Sequence, residues 1–417
     1  MFTSKKAAVL SLLFSLLIGP NWVQGQENKW GEWRGPNRNG ISESQQPVTS
    51  WSSTENVAWK IPIPGRGHSS PIVHEDLIFL TTSDVAKQTQ SVICIDRKQQ
   101  KIVWNKVVNQ GNFAPKIFPK NTHASPTVVC DGKKVYALFN NNGQNQLTAL
   151  DLAGEIVWQK FIAPYKTFYE FGSGASPIMH DGLLYVPNEA GKSCAIICID
   201  PENGEEVKRI QRGSFSSYST PVIADVAGKT QLLISGGKKV SSYDLETLKE
   251  NFKVRANWDV SCGTMVWTKD MVFASGGFPA QQTLAIDATS GKLVWDKPIK
   301  FYEQSMLVHD GRLYGLSNSG VIFCWDAKTG KEHFKRRFEK PVSASPVLAN
   351  GHIYFTSEAG NTLVIKSGTD KYQEVARNNL GNVAFASFAL VDNLIYTRVG
   401  VRKGKKVQEY LYCLGEE

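Results

Sequence analysis

One phrase recurs eight times along this chain: a small residue, Ser or Thr, Pro, then an aliphatic pair. Clear copies are Ser69-Ser70-Pro71, Ala124-Ser125-Pro126, Ala175-Ser176-Pro177, Ser219-Thr220-Pro221 and Ala344-Ser345-Pro346. Degenerate copies are Gly263-Thr264-Met265, Gln304-Ser305-Met306 and Ala386-Ser387-Phe388. The last residues of successive phrases lie 55, 51, 44, 44, 41, 40 and 42 residues apart. Self-similarity at a period of about forty residues marks a repeat architecture, and at this length each unit is one propeller blade.

The rest of each unit fits four strands. Asp181-Gly182, Asp310-Gly311 and Asn350-Gly351 follow the phrase and separate it from a second apolar run. Such dipeptides are strong hairpin signals. A third run ends in an aspartate at Asp96, Asp151, Asp200, Asp244, Asp287 and Asp326, followed in several repeats by Thr-Gly-Lys or Ser-Gly-Lys. Trp104, Trp158 and Trp295 come next, in the fourth run. The expected fold is therefore all-β: an eight-bladed β-propeller of four-stranded blades. Val57 to Ile61 reads as a fourth strand with no partners before it, and the last repeat stops after three strands at Leu414. The N-terminal strand should complete the C-terminal blade and so remove an open sheet edge. The domain division expected is 1–25, 26–56 and 57–417.

On these residues the repeat resembles the pyrroloquinoline-quinone-like propeller repeat, from Trp51 to Gly415. Its family comprises exported quinoprotein dehydrogenase-like and BamB-like propellers. Trp30 to Gly40 is similar to the leader of such proteins, and its two tryptophans should pack against the ring. The quinoprotein resemblance also implies adjacent cysteines over a cofactor, a tryptophan floor, and Glu, Asn and Asp ligands for calcium. This chain has no Cys-Cys pair and no Cys-x-x-Cys-His. The expectation is thus no cofactor, with quinone and calcium as the alternative that the family likeness brings.

The first 25 residues read as a secretory signal: Lys5 and Lys6, an apolar run from Ala7 to Ile18, and a small residue at Gly25. The run is short for a membrane span, and no lipobox cysteine is present, Cys94 being the first cysteine. A monomeric exported protein, periplasmic or extracellular and not membrane-spanning, is expected. Net charge is +9, and removing Lys5 and Lys6 leaves +7. That balance permits small anionic ligands, while export argues against nucleic acid. Cys94, Cys198, Cys324 and Cys413 fall at one repeat position, where other repeats have Ala149, Ser242, Ala285 and Val364. A position of this kind wants a small apolar side chain, so these four should be unpaired filler.

No nucleophile elbow, metalloprotease helix or phosphate loop occurs, and no residue is assigned as catalytic or as a metal ligand. The repeat aspartates should cap turns. Function should lie where similar blades differ. The innermost strands begin at His68, His123, Gly174, Tyr218, Cys262, Glu303, Ser343 and Phe385, a ring of varied type around one channel mouth. Loops rich in aromatic and basic residues lead into it: Phe113, Lys116, Phe118 and Lys120; Tyr165, Lys166, Phe168, Tyr169 and Phe171; then Arg212, Phe215, Arg255, Trp258, Phe301 and Tyr302. The candidate binding residues are His68, His123, Tyr169, Tyr218, Trp258, Glu303, Arg66 and Arg255. A non-enzymatic scaffold for a protein or peptide partner, resembling BamB in fold, is the expected function. The alternatives are a small-ligand or sugar-related protein or enzyme, with His68, His123 and Glu303 converging on a metal, or a quinone-dependent dehydrogenase.

Overall fold

The computed structural model describes residues 29–416; the expected signal segment lies outside them. Alternating apolar residues in short runs between glycine-bearing turns leave these sequences one way to bury their faces, as twisted four-stranded sheets stacked around an axis. Eight such blades form, each of four antiparallel strands, and in blades 1 to 7 these run in chain order from the axis outward. Blade 3 is representative: Ile178–His180, Leu183–Asn188, Ala190–Ile199 and Glu206–Ser216. The Asp-Gly and Asn-Gly turns place both residues at positive φ, as at Asp181 (46°) and Gly182 (72°). This is the two-residue hairpin that matches strand twist.

Closure occurs as expected. Val57–Ile63 pairs antiparallel with the last strand, Trp59 opposite Cys413 and Ile61 opposite Leu411. It is the outermost strand of blade 8, whose other three strands come from the C-terminus. Apolar clusters fill the gaps between blades. One joins Ile72, Phe79 and Cys94 of blade 1 to Val135, Ala137 and Phe139 of blade 2. Another joins Ile63 and Leu411 of blade 8 to Ile78 of blade 1 and Tyr354 of blade 7.

The repeat residues act as architecture. Asp96 Oδ1 accepts the amides of Lys98 and Gln99 at 2.9 and 2.8 Å, and Asp326 Oδ1 accepts the amide and hydroxyl of Thr329, both at 2.7 Å. The indole N–H of Trp104 donates to Leu152 O at 3.0 Å, Trp158 to Pro201 O at 2.9 Å and Trp295 to Ala327 O at 3.0 Å, each pinning a blade to the turn of the next. Cys94, Cys198, Cys324 and Cys413 stand opposite Phe79, Tyr185, Tyr314 and Tyr396, buried and unpaired.

A second repeated device surrounds the axis. Ser70 N donates to Thr127 Oγ1 (3.0 Å), Thr127 N to Ser176 Oγ (2.9 Å) and Ser176 N to Thr220 Oγ1 (3.0 Å). A second run starts at Thr264: the amides of Thr264, Ser305, Ser345 and Ser387 each donate at 2.9 Å to the hydroxyl of the following blade, the last of them reaching Ser70 Oγ, while Thr264 Oγ1 accepts from Trp33 Nε1. The hydroxyl of blade 2 is thus Thr127, not Ser125. The phrase Ala124-Ser125-Pro126 lies two residues ahead of the true register, and the first two intervals are 57 and 49 residues.

The leader is built into the ring. Lys29–Trp30 adds to the inner strand of blade 1, and Ile41–Ser42 runs parallel to that of blade 7. Between them the chain enters the channel from the end where the inner strands finish. Arg38 donates to Met179 O and pairs with Glu32 at 2.8 Å. Arg34 donates to Met306 O at 2.9 Å, and Trp33 Nε1 to Thr264 Oγ1 at 2.9 Å. Burial lowers Arg34 to about 9. The leader plugs the channel up to the hydroxyl ring.

Candidate functional site

Plugged from one end, the channel is a blind well of about 480 Å³ opening at the other. Trp33 forms its floor. Ser70, Thr127, Ser176 and Thr220 line it at hydroxyl-ring level. His68, Ser125, Gly174, Tyr218, Cys262, Glu303, Ser343 and Phe385 line it above. These upper residues all precede the ring hydroxyls by two positions, so one structural layer of the repeat supplies the mouth.

Two long insertions, one between blades 1 and 2 and one between blades 2 and 3, fold over this mouth. Asn121 Nδ2 donates to Phe171 O (2.6 Å) and Ser173 O (3.1 Å), which ties the insertions together. Gly172 permits this approach, having φ +86° and room for a Cβ only 2.7 Å from Asn121 Nδ2. Aromatic rings then interlock across the mouth. Phe171 meets Tyr169 (5.3 Å between centroids), Phe118 (5.7 Å) and Tyr218 (5.8 Å), and Tyr169 meets Phe278 of blade 5 edge-on at 5.4 Å. Phe118, Phe168 and Phe278 nonetheless remain 44%, 58% and 39% exposed.

The charged groups of the mouth neutralise one another. Lys120 Nζ lies 2.6 Å from Glu358 and 3.4 Å from Glu303. Glu303 also accepts Asn318 Nδ2 at 2.5 Å, and Glu358 accepts Ser343 Oγ at 2.7 Å. Burial opposes the charge of Lys120, but the two carboxylates outweigh it and raise its pKa. His68 stacks on Phe385 at 4.1 Å. Burial, then the cations Arg398, Arg66 and Lys120, lower His68 to about 3, so its imidazole is neutral. Burial, with Glu303 adding, holds the Cys262 thiol well above its ordinary range.

The structure brings His68, Tyr218 and Glu303 together on the well, with Tyr169 above Tyr218, whose hydroxyl donates to Tyr169 O at 3.4 Å. Four other candidates lie elsewhere. His123 follows the displaced phrase of blade 2; its ring packs on Phe113 at 4.3 Å, and Ser125 takes its place. Trp258 is 0% exposed, because Trp258–Val260 pairs with Phe278–Pro279 and Gly276 lies flat against the indole. Arg66 pairs with Glu409 at 2.6 Å and lines a separate groove with Asp84 and Gln408. Arg255 is exposed on the outermost strand of blade 4, opposite Lys239. Two loop residues are also core: Arg212 is buried against Glu189 and Tyr243, and Phe301 is 1% exposed.

The metal trio of the alternative reading does not form. His68 stacks on Phe385 and His123 packs at a tilt on Phe113, Glu303 is held by Lys120, and among the described residues no group of three or more His, Cys, Asp or Glu could hold a metal. Phe278, Lys120 and Ser125 are the site residues whose place the repeat phrases did not reveal. A constant spacing could have located Ser125. In seven of the eight blades the ring hydroxyl precedes a second-strand aromatic by nine residues, as in Ser70 to Phe79, Ser176 to Tyr185 and Ser345 to Tyr354; Thr127 to Tyr136 obeys this where Ser125 does not, and blade 4, with Lys229 nine residues after Thr220, is the exception.

A family model described as "Outer membrane protein assembly factor BamB" matches residues 41–225, 85–297 and 280–396. No curated protein matches the chain by sequence. Among solved structures, it is similar to quinohemoprotein alcohol dehydrogenase from Comamonas testosteroni (TM-score 0.69, 13% identity, 94% of this chain and 81% of that one). It is also similar to BamB from Moraxella catarrhalis (TM-score 0.61, 15% identity, 85% and 96%) and to a europium-containing methanol dehydrogenase (0.67, 11%, 94% and 99%). At these identities the likeness is one of fold.

Proposed function

The chain belongs to the family of the outer membrane protein assembly factor BamB, and from that premise we propose that it is an exported, non-enzymatic propeller scaffold that seats a protein or peptide partner on the mouth of its well. The carrying observation is the aromatic rim. Phe118 and Phe278 are large, exposed and line one concave opening, with Phe171 in ring contact with both and stacked on Tyr169. Clustered exposed apolar side chains are uncommon on soluble surfaces and mark contact sites. Rigid aromatics contribute much area for little lost side-chain freedom, which is why they dominate interface hot spots. The loops carrying them stand on a rigid ring, the usual arrangement for recognition.

The quinone reading has little support in the residues. The well has no adjacent cysteines, and its one lining carboxylate, Glu303, is neutralised by Lys120, which leaves calcium no ligand set. Adding the quinone with calcium should give no tight binding. Periplasmic or extracellular location, a single-copy state and the absence of nucleic acid among the partners belong to the same proposal.

Capture from a cell-envelope extract tests the scaffold role. The wild-type protein should retain a specific polypeptide, and a Tyr169→Ala/Phe278→Ala double variant should recover at least tenfold less, with unchanged circular dichroism. Equal recovery by the variant sinks the rim as the seat.

A further inference from the structure

Below the rim, the well has a chemistry of its own that a protein partner's contact surface does not need. We infer that the well is a binding site for one uncharged sugar unit, either a free saccharide or the end of a glycan. This goes beyond the scaffold proposal and stands or falls separately from it.

The first observation is the hydroxyl crescent. Ser70, Thr127, Ser176 and Thr220 line the well from four consecutive blades. Each hydroxyl oxygen accepts the amide of a neighbouring blade at 2.9–3.0 Å. A hydroxyl has one proton to give and two lone pairs to receive. The amide takes a lone pair, and none of these four hydroxyls donates to a protein acceptor among the described residues. Four O–H donors are therefore left facing a concave space. His68 adds two ring nitrogens that have no protein partner among the described residues, one a donor and one an acceptor while the ring is neutral.

The second observation is the apolar surface beside them. The floor is the part-exposed indole of Trp33, whose N–H is already given to Thr264. Phe171, Tyr218, Phe278 and Phe385 make the walls. The third is charge. The lining has one cation, Lys120, and one anion, Glu303, in contact with each other at 3.4 Å. A charged ligand finds no unmatched counter-charge there. A purely apolar occupant would strand the four donors, since burying a polar group without a partner is unfavourable. A pyranose meets all three conditions: its C–H faces lie on aromatic rings, its hydroxyls accept and donate at its edge, and it has no charge. The cavity, about 480 Å³, falls within the usual size range of small-ligand sites. Being blind, it admits a terminal unit and not the middle of a chain.

The test is calorimetric and ligand-observed NMR titration of the full mature protein. The neutral probes are glucose, galactose, mannose, N-acetylglucosamine and cellobiose; the charged ones are glucuronate and glucosamine; indole is the apolar one. At least one neutral sugar should bind with a dissociation constant of millimolar or tighter, and glucuronate and glucosamine at least tenfold more weakly. His68→Phe keeps the stack on Phe385 and removes the two nitrogens, and it should weaken the sugar at least tenfold. Should that variant misfold, Phe278→Ala, at a partly exposed ring, should weaken it at least fivefold. The inference is overturned if no neutral probe binds, if the charged sugars bind equally well, or if indole binds and His68→Phe tightens it. Any of those results leaves envelope capture by the rim untouched.

Discussion

Ring closure makes a quantitative demand on one residue. Ile63 ends the closing strand opposite Glu409, is 0% exposed, and packs in the cluster shared by blades 8, 1 and 7. Ile63→Ala removes three buried carbons, about 2.4 kcal/mol of transfer free energy at about 0.8 kcal/mol each. The cavity left behind adds to this, and changes of this kind cost about 2–5 kcal/mol in all. Against a folded-state stability of roughly 5–15 kcal/mol this is a large fraction. Lys60→Ala, on the exposed side of the same strand, should change stability by less than about 0.5 kcal/mol. Urea unfolding followed by far-ultraviolet circular dichroism and by tryptophan fluorescence measures both. The main transition should move to lower urea for Ile63→Ala in both signals. A loss under about 1 kcal/mol, or a small early step with the main transition unmoved, would refute the claim that this strand is integral to the ring.

Other expectations follow from single contacts. Gly154 has φ +89° and would place a Cβ 2.7 Å from the Trp104 ring, so Gly154→Val should cost at least about 2 kcal/mol in the same assay. Gly143→Ala, at φ +66° in open space, should cost only about 1 kcal/mol. Cys94, Cys198, Cys324 and Cys413 are buried and their thiols are raised to about 11–12, so none should react with a thiol reagent at pH 8 until the chain is unfolded, as read by mass spectrometry. The folded His68 takes a proton only near pH 3, whereas an unfolded histidine takes one near its ordinary value of 6.5. The unfolded chain thus binds more protons between these limits, and stability should fall as pH drops from about 6.5 towards 3. His68→Phe should show a shallower fall over that window in thermal melts.

Blade number, strand order, closure and the filler cysteines were legible in the sequence because each is repeated, and a repeated choice averages out local noise. The turn aspartates and docking tryptophans were legible for the same reason. The site was less so. His123 misled because Ser125-Pro126 imitates the phrase two residues early, and only the distance to Tyr136 in the partner strand exposes the slip. Trp258 and Arg212 carry the residue types of an interface, yet each is buried by something outside the repeat: a short extra strand pair over Trp258, and the carboxylate of Glu189 beside Arg212. The plug was hidden more deeply. Trp30 and Trp33 announce packing, but only the fold shows that the leader enters the axis, where Arg34 and Arg38 donate to the backbone carbonyls of Met306 and Met179.

The central claim is that recognition occurs on the aromatic mouth and not on the plugged face. A photo-crosslinking amino acid at Phe278, beside the well, and another at Asp310, on the turn at the plugged end, put this to a direct measurement in intact cells or envelope extract. The expected result is a discrete crosslinked species from position 278 and none from position 310. Crosslinking from 310 alone, or equally from both, would contradict it.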